Sequence, residues 1–115
     1  MVLNDWNTLE REQMNAHITR KVIHTAHMTI ARLELQKDAV VPEHSHVNEQ
    51  VTMVERGALK FFIEGREQIV RAGGILTIPP HAPHGVEVLE DSVAVDVFSP
   101  PREDWKRGDD AYLRR

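Results

Sequence analysis

The sequence predicts an all-β chain, folded as one antiparallel sandwich or closed barrel of short strands. Three observations predict it. Apolar and polar residues alternate at period two along several short runs, as half-buried strands require. Gly and Pro punctuate those runs at about ten-residue spacing. The middle of the chain leaves no room for a long helix. At 115 residues the chain suits one domain with a modest single core.

Taken in order, residues 1–16 are polar with weak helical character, and Trp6 and Leu9 sit one turn apart, so a short helical arm is expected. Strands begin at Ile18. Arg20 to His24 is the first, and Met28 to Leu35 the second, with Ala31, Leu33 and Leu35 on one face. Lys37-Asp38 makes a turn. Val40-Val41-Pro42 is extended, because Pro42 forbids a helix through this point. Gln50 to Glu55 is a strand ended by Gly57. Ala58 to Ile63 alternates Leu59, Phe61 and Ile63 against Lys60 and Glu64. Glu64-Gly65 reads as a hairpin turn into Gln68-Ile69-Val70. After the turn at Ala72-Gly73-Gly74, Ile75 to Ile78 runs into Pro79-Pro80. Gly85 to Leu89 and Val93 to Phe98 finish the set, separated by Glu90-Asp91. Pro100 and Pro101 end the last strand, and a charged tail follows with Trp105, Tyr112 and Leu113 as apolar anchors. The expected division is an arm over 1–17, a barrel over 18–99 and a tail over 100–115.

Composition narrows the class. Apolar residues are 41% and charged residues 28%, which reads as soluble and globular. No apolar run approaches a membrane span, and the first residues lack the basic and apolar regions of a secretory signal. The absence of cysteine excludes disulfides, thiolate ligands and a cysteine nucleophile, and fits a cytoplasmic location. Net charge is −4 with no basic stripe beyond Arg114-Arg115, so neither nucleic acid nor a membrane is the expected partner.

Seven histidines are many for this length, and their spacing carries chemistry. His44-Ser45-His46 in an extended segment puts two imidazoles on one face, about 6.5–7 Å apart at Cβ, within reach of a shared ion. Gln50 follows and His84 answers from further on. This pattern resembles the cupin family, small β-barrels (double-stranded β-helix, or jelly roll) with two sequence motifs. The first motif is matched by His44, His46, Gln50 and Gly57, and the second by Gly73, Pro79 and His84. The departures are Lys37 where the first motif usually opens with glycine, Gln50 where the family places a glutamate, and His81 where the second motif carries glycine. The resemblance covers about residues 18–99 and implies one divalent transition metal (Zn, Ni, Fe, Mn or Co) held by His44, His46, Gln50 and His84. Glu49 competes for the acidic position, but parity puts Gln50 on the same face as Thr52 and Val54. A neutral glutamine leaves the ion its full +2 charge, which favours anionic substrates.

The last strand holds one carboxylate among apolar residues. Asp96 there is costly unless paired or functional. It reads either as a hydrogen-bonded core aspartate or as a general acid/base beside the metal. Phe98 would be an apolar wall. Arg102 could swing over the mouth to bind a carboxylate, or pair at the surface with Glu103 or Asp104. His81 reads as a shuttle near the mouth or as a plain loop residue. The stretch from Asp96 to Trp105 is similar to the end of KdgF-type cupins, which open the ring of 4,5-unsaturated uronates. That resemblance implies catalytic roles for Asp96, Phe98 and Arg102, a small anionic sugar acid as substrate, and ring opening or tautomerisation without net redox. The alternatives are an Fe- or Ni-dependent dioxygenase and a non-catalytic small-molecule- or metal-binding module. A homodimer is expected, because an edge strand needs covering.

Overall fold

The computed structural model describes residues 1–115. Ten strands come first: β1 Glu12–Gln13, β2 Ile18–His24, β3 Thr29–Leu35, β4 Val40–His44, β5 Glu49–Arg56, β6 Ala58–Ile63, β7 Arg66–Arg71, β8 Ile75–Ile78, β9 His84–Val88 and β10 Ser92–Ser99. Two single-turn helices follow, α1 Glu103–Lys106 and α2 Ala111–Arg114. The strands form a six-stranded sheet in the order β1-β2-β3-β10-β5-β8 and a four-stranded sheet in the order β4-β9-β6-β7. All pairings are antiparallel. This is the jelly-roll arrangement expected from the sequence.

The core lies between the two inner faces. Leu33, Leu35, Val54 and Ala94 enter it from the large sheet, and Leu59, Phe61, Val86 and Val88 from the small one. The period-two pattern of β3 and β6 therefore does what it predicts, one face in and one face out. The turn between β6 and β7 has Glu64 at φ 52° and Gly65 at φ 77°. Two left-handed residues give the hairpin turn whose twist matches its strands. Gly57 also has positive φ, 85°, and a Cβ there would collide with the Ser92 side chain and the Asp91 carbonyl. Nearby, the register of β10 on β5 shifts between Val93 and Ala94. After that bulge Ala94, Asp96 and Phe98 pair with Val54, Thr52 and Gln50, so the inner faces of the two strands coincide.

The arm differs from expectation. Trp6 to Leu9 forms only a turn and bend, not a helix, and Glu12–Gln13 adds an edge strand to β2. Two apolar residues one turn apart are too few to bury a helical face, whereas the free edge of β2 offers backbone partners. The tail folds back: Trp105 and Leu113 are buried and join the core.

Candidate metal centre

Strand register assembles the site. His44 at the end of β4 pairs directly with His84 at the start of β9. On the opposite sheet, Gln50 pairs with Phe98 and Thr52 with Asp96. His46 sits in the loop between β4 and β5, just past the strand end. The imidazole centroids are 5.8 Å apart for His44–His46, 4.2 Å for His44–His84 and 5.1 Å for His46–His84. One ring nitrogen from each lies within 4.8 Å of the others. A slight inward turn would let all three reach one ion at the usual metal–nitrogen distance of about 2.0–2.1 Å.

Backbone carbonyls set the tautomers. His44 Nδ1 bonds the Pro42 carbonyl at 2.8 Å, His84 Nδ1 the Ala82 carbonyl at 2.8 Å, and His46 Nδ1 the Asn48 carbonyl at 3.0 Å. A carbonyl only accepts, so each Nδ1 carries the proton and each Nε2 keeps a lone pair. His84 Nε2 is buried without any partner. His46 Nε2 faces Gln50 Oε1 at 3.1 Å. The amide is oriented from its other end, where Gln50 Nε2 donates to Thr52 Oγ1 at 2.9 Å. Two acceptors at 3.1 Å are repulsive unless a cation lies between them, and an orphaned imidazole nitrogen asks for the same partner. The donor set of His44, His46, His84 and Gln50 thus fits a divalent transition metal.

The charges agree. Burial pushes the pKa of His44 down to about 3 and that of His46 to about 4, and lowers that of His84. The Arg102 guanidinium adds to the effect at His46. The rings are therefore neutral at pH 7 and ready to ligate. Glu49, the competing carboxylate, is exposed, while Gln50 is buried.

Asp96 connects to the centre through one hydroxyl. Thr52 Oγ1 accepts from Gln50 and donates to Asp96 Oδ1 at 2.6 Å. Burial raises the Asp96 pKa to about 6, with the Thr52 hydrogen bond opposing. Phe98 is buried and meets His46 edge-on at 5.6 Å. Arg102 pairs with Asp104, one of the two acids expected, but it does so as a buried group rather than at the surface. It is 1% exposed, and its guanidinium lies 4.7 Å from the Phe98 ring centroid and 4.3 Å from that of Trp105. Its Nε and Nη2 grip both carboxylate oxygens of Asp104 at 2.9 and 2.8 Å, Nη2 also donates to the Tyr112 hydroxyl at 2.7 Å, and Nη1 has no partner. His81 is exposed at φ 67°, a conformation that favours glycine, and its backbone N–H donates to the His46 carbonyl at 2.8 Å.

Sequence reasoning missed three residues. Thr52 shares the inner face of β5 with Gln50, so period two alone flagged its position. Asn48 is buried and donates to the Pro100 and Pro101 carbonyls at 2.5 and 3.2 Å, which clamps the His46 loop to the tail. Tyr112 stacks on His44 at 4.1 Å with rings 20° apart. Nothing local to the tail signals that contact.

Comparison with known proteins places the arrangement. Residues 31–99 match the family model described as "Cupin domain". The pectin degradation protein KdgF of Dickeya dadantii is 31% identical over 97 residues, 82% of this chain and 88% of that protein. Acireductone dioxygenase 1 of Pectobacterium atrosepticum is 32% identical over 75 residues, 60% of this chain but 43% of that protein. Among solved structures, KdgF from Halomonas sp. superposes with a TM-score of 0.82 at 29% identity, covering 88% of this chain and 96% of that one. An RmlC-like cupin from Shewanella frigidimarina gives 0.84 at 25% identity, covering 90% and 94%. Motifs, fold and relatives agree: the chain belongs to the cupin family.

Proposed function

We propose that this chain is a metal-dependent enzyme that opens the ring of 4,5-unsaturated uronates by isomerisation, without net redox. One observation carries the reading: His44, His84, Gln50, Asp96 and Arg102 line a single cavity. The similarity to a pectin degradation protein supports it. A divalent ion held by His44, His46, His84 and Gln50 would supply a Lewis acid there. Asp96, with a pKa of about 6, is mostly ionised at neutral pH yet still able to carry a proton. In this role it takes the anomeric hydroxyl proton as the ring C–O bond breaks, and returns it to C4 as the resulting enolate becomes the 5-ketone. The product is an isomer of the substrate, so no water or electron enters the balance. Arg102 binds the substrate carboxylate and Phe98 walls the cavity.

The test is direct. The absorbance of an unsaturated uronate should fall faster with the metal-loaded protein than without it, and Asp96→Asn should remove the acceleration. No acceleration with any of Zn, Ni, Fe, Mn or Co would end the proposal. A second reading, a dioxygenase, is favoured by the similarity to acireductone dioxygenase 1. Oxygen consumption coupled to turnover would support it, and turnover under strict anaerobiosis would sink it.

The same reading includes a cytoplasmic homodimer. The outer face of the large sheet carries Ile23, Ile30, Val51, Met53, Val95 and Val97, all only half-buried, and β8 adds Ile75, 68% exposed. A second copy laid on that face would cover it. A monomer mass by sedimentation would reject the dimer.

A further inference from the structure

The cavity is too small for the substrate class proposed above. Its volume is about 50 Å³. A water needs about 10–15 Å³ of such space, so the cavity holds a few waters, whereas small-molecule sites run to about 300–1,000 Å³. Tyr112 lines it and stands over the candidate metal ligands. Its ring covers His44, with centroids 4.1 Å apart, and its hydroxyl accepts from Arg102 Nη2 at 2.7 Å and from Trp105 Nε1 at 3.1 Å.

The backbone that carries Tyr112 is anchored. Asp110, just before α2, is 1% exposed and receives Arg20 Nη2 at 3.0 Å and Arg114 Nε at 2.9 Å. The Asn15 amide donates to the carbonyls of Leu113 and Arg115 at 3.2 and 3.0 Å. Leu113 is buried in the core, while Tyr112 is only half-buried. With the backbone held, the Tyr112 side chain can leave its place only by its own rotation.

We propose that Tyr112 is the gate and size filter of the cavity, and that its hydroxyl holds the place on Arg102 that a sugar acid's carboxylate takes when the ring swings out. The inference deepens the proposed function and rests on its choice of an anionic sugar acid. Small carboxylates bind with Tyr112 in place, and anything the size of a hexuronate displaces it. The displaced hydroxyl leaves a donor on Arg102 free, and Nη1 is already without a partner. Displacement therefore offers a carboxylate two donors on a buried guanidinium.

Tyr112 is the only tyrosine in the chain, so 3-fluorotyrosine labelling gives a single ¹⁹F resonance. Titrated into the Zn-loaded protein, galacturonate should move that resonance saturably toward its position in the urea-unfolded chain. Acetate at equal ionic strength should leave it in place. By calorimetry, Tyr112→Ala should bind galacturonate at least tenfold tighter than the wild type. Tyr112→Phe, which keeps the ring but frees Arg102, should fall between. A merely structural role for Tyr112 predicts weaker binding on truncation, the opposite sign. Galacturonate binding with an unmoved resonance overturns the proposal, as does a Tyr112→Ala protein that binds no tighter than wild type or not at all. The reaction assay separates the two ideas. Displacement of Tyr112 without turnover of unsaturated uronates removes only the reaction, and turnover with Tyr112 unmoved removes only the gate.

Discussion

Asp96→Asn should stabilise the metal-free fold at neutral pH, and the size of the gain follows from one group. Burial raises the folded-state pKa of Asp96 from 3.8 to about 6. A group whose folded pKa is raised contributes stability that is full below the unfolded pKa and is lost as pH climbs through the folded value. For Asp96 that window runs from about pH 4 to about pH 6.5. The loss across it is about 3 kcal/mol, at about 1.4 kcal/mol for each tenfold change in proton affinity. Asparagine is neutral throughout and its carbonyl still accepts from Thr52, so the substitution removes the titration and keeps the hydrogen bond. Urea unfolding of metal-free wild type and Asp96→Asn, each from pH 4 to pH 8, isolates the term, because every other group titrates alike in both. The two should coincide near pH 4 and separate by about 3 kcal/mol at pH 8, a midpoint difference of about 1–3 M urea. Parallel curves, or a less stable Asp96→Asn at pH 8, would refute the raised pKa and with it the case for Asp96 as a proton carrier. A residue that destabilises the fold in its working state is what a site exchanging stability for activity contains.

Gln50→Glu should hold the metal more tightly against a chelator and turn over more slowly. The new carboxylate lowers the charge of the centre and replaces the amide donor to Thr52, leaving one hydroxyl proton between two carboxylates. Competition with EDTA and a kcat comparison check both effects. His46→Ala should drop the metal content from about one ion per chain to near zero while moving the metal-free unfolding midpoint little, since His46 is only half-buried; elemental analysis and a melt decide it. Asp110→Ala should cost about 3–5 kcal/mol, because it leaves Arg20, 3% exposed, with Glu12 as its one remaining acid. Burial alone would raise the Asp110 pKa, but the hydrogen bonds from Arg114 and Arg20 overrule it and hold it below the usual range. A depressed carboxylate stabilises above its unfolded pKa and loses that contribution as pH falls, so acid should narrow the gap between wild type and Asp110→Ala below about pH 4.

The barrel was legible because a strand with one buried face leaves period two in the sequence. Ala58 to Ile63 and Ile75 to Ile78 match the observed strands end to end. The same parity put Gln50 inside and left Glu49 outside. What escaped has no local period. The burial of Arg102 depends on Asp104, Trp105 and Tyr112 closing around it, and two prolines before a charged tail read as surface. The stacking of Tyr112 on His44 joins residues 68 positions apart through the fold-back of a tail with two short helices. Trp6 and Leu9 show the converse error: helical spacing without enough apolar partners yields only a turn.

The three imidazoles are aimed by carbonyls of the main chain at Pro42, Asn48 and Ala82. No side-chain substitution at those positions can delete an aiming group, and any residue that keeps the local backbone keeps the tautomer. A centre built this way tolerates drift in its surroundings. Under the proposed function, change would concentrate on Asp96, Arg102 and Tyr112, where one side chain would decide which proton moves and which anion enters. On the proposed reading, point mutations outside the four ligand side chains should alter the reaction more readily than they remove the metal.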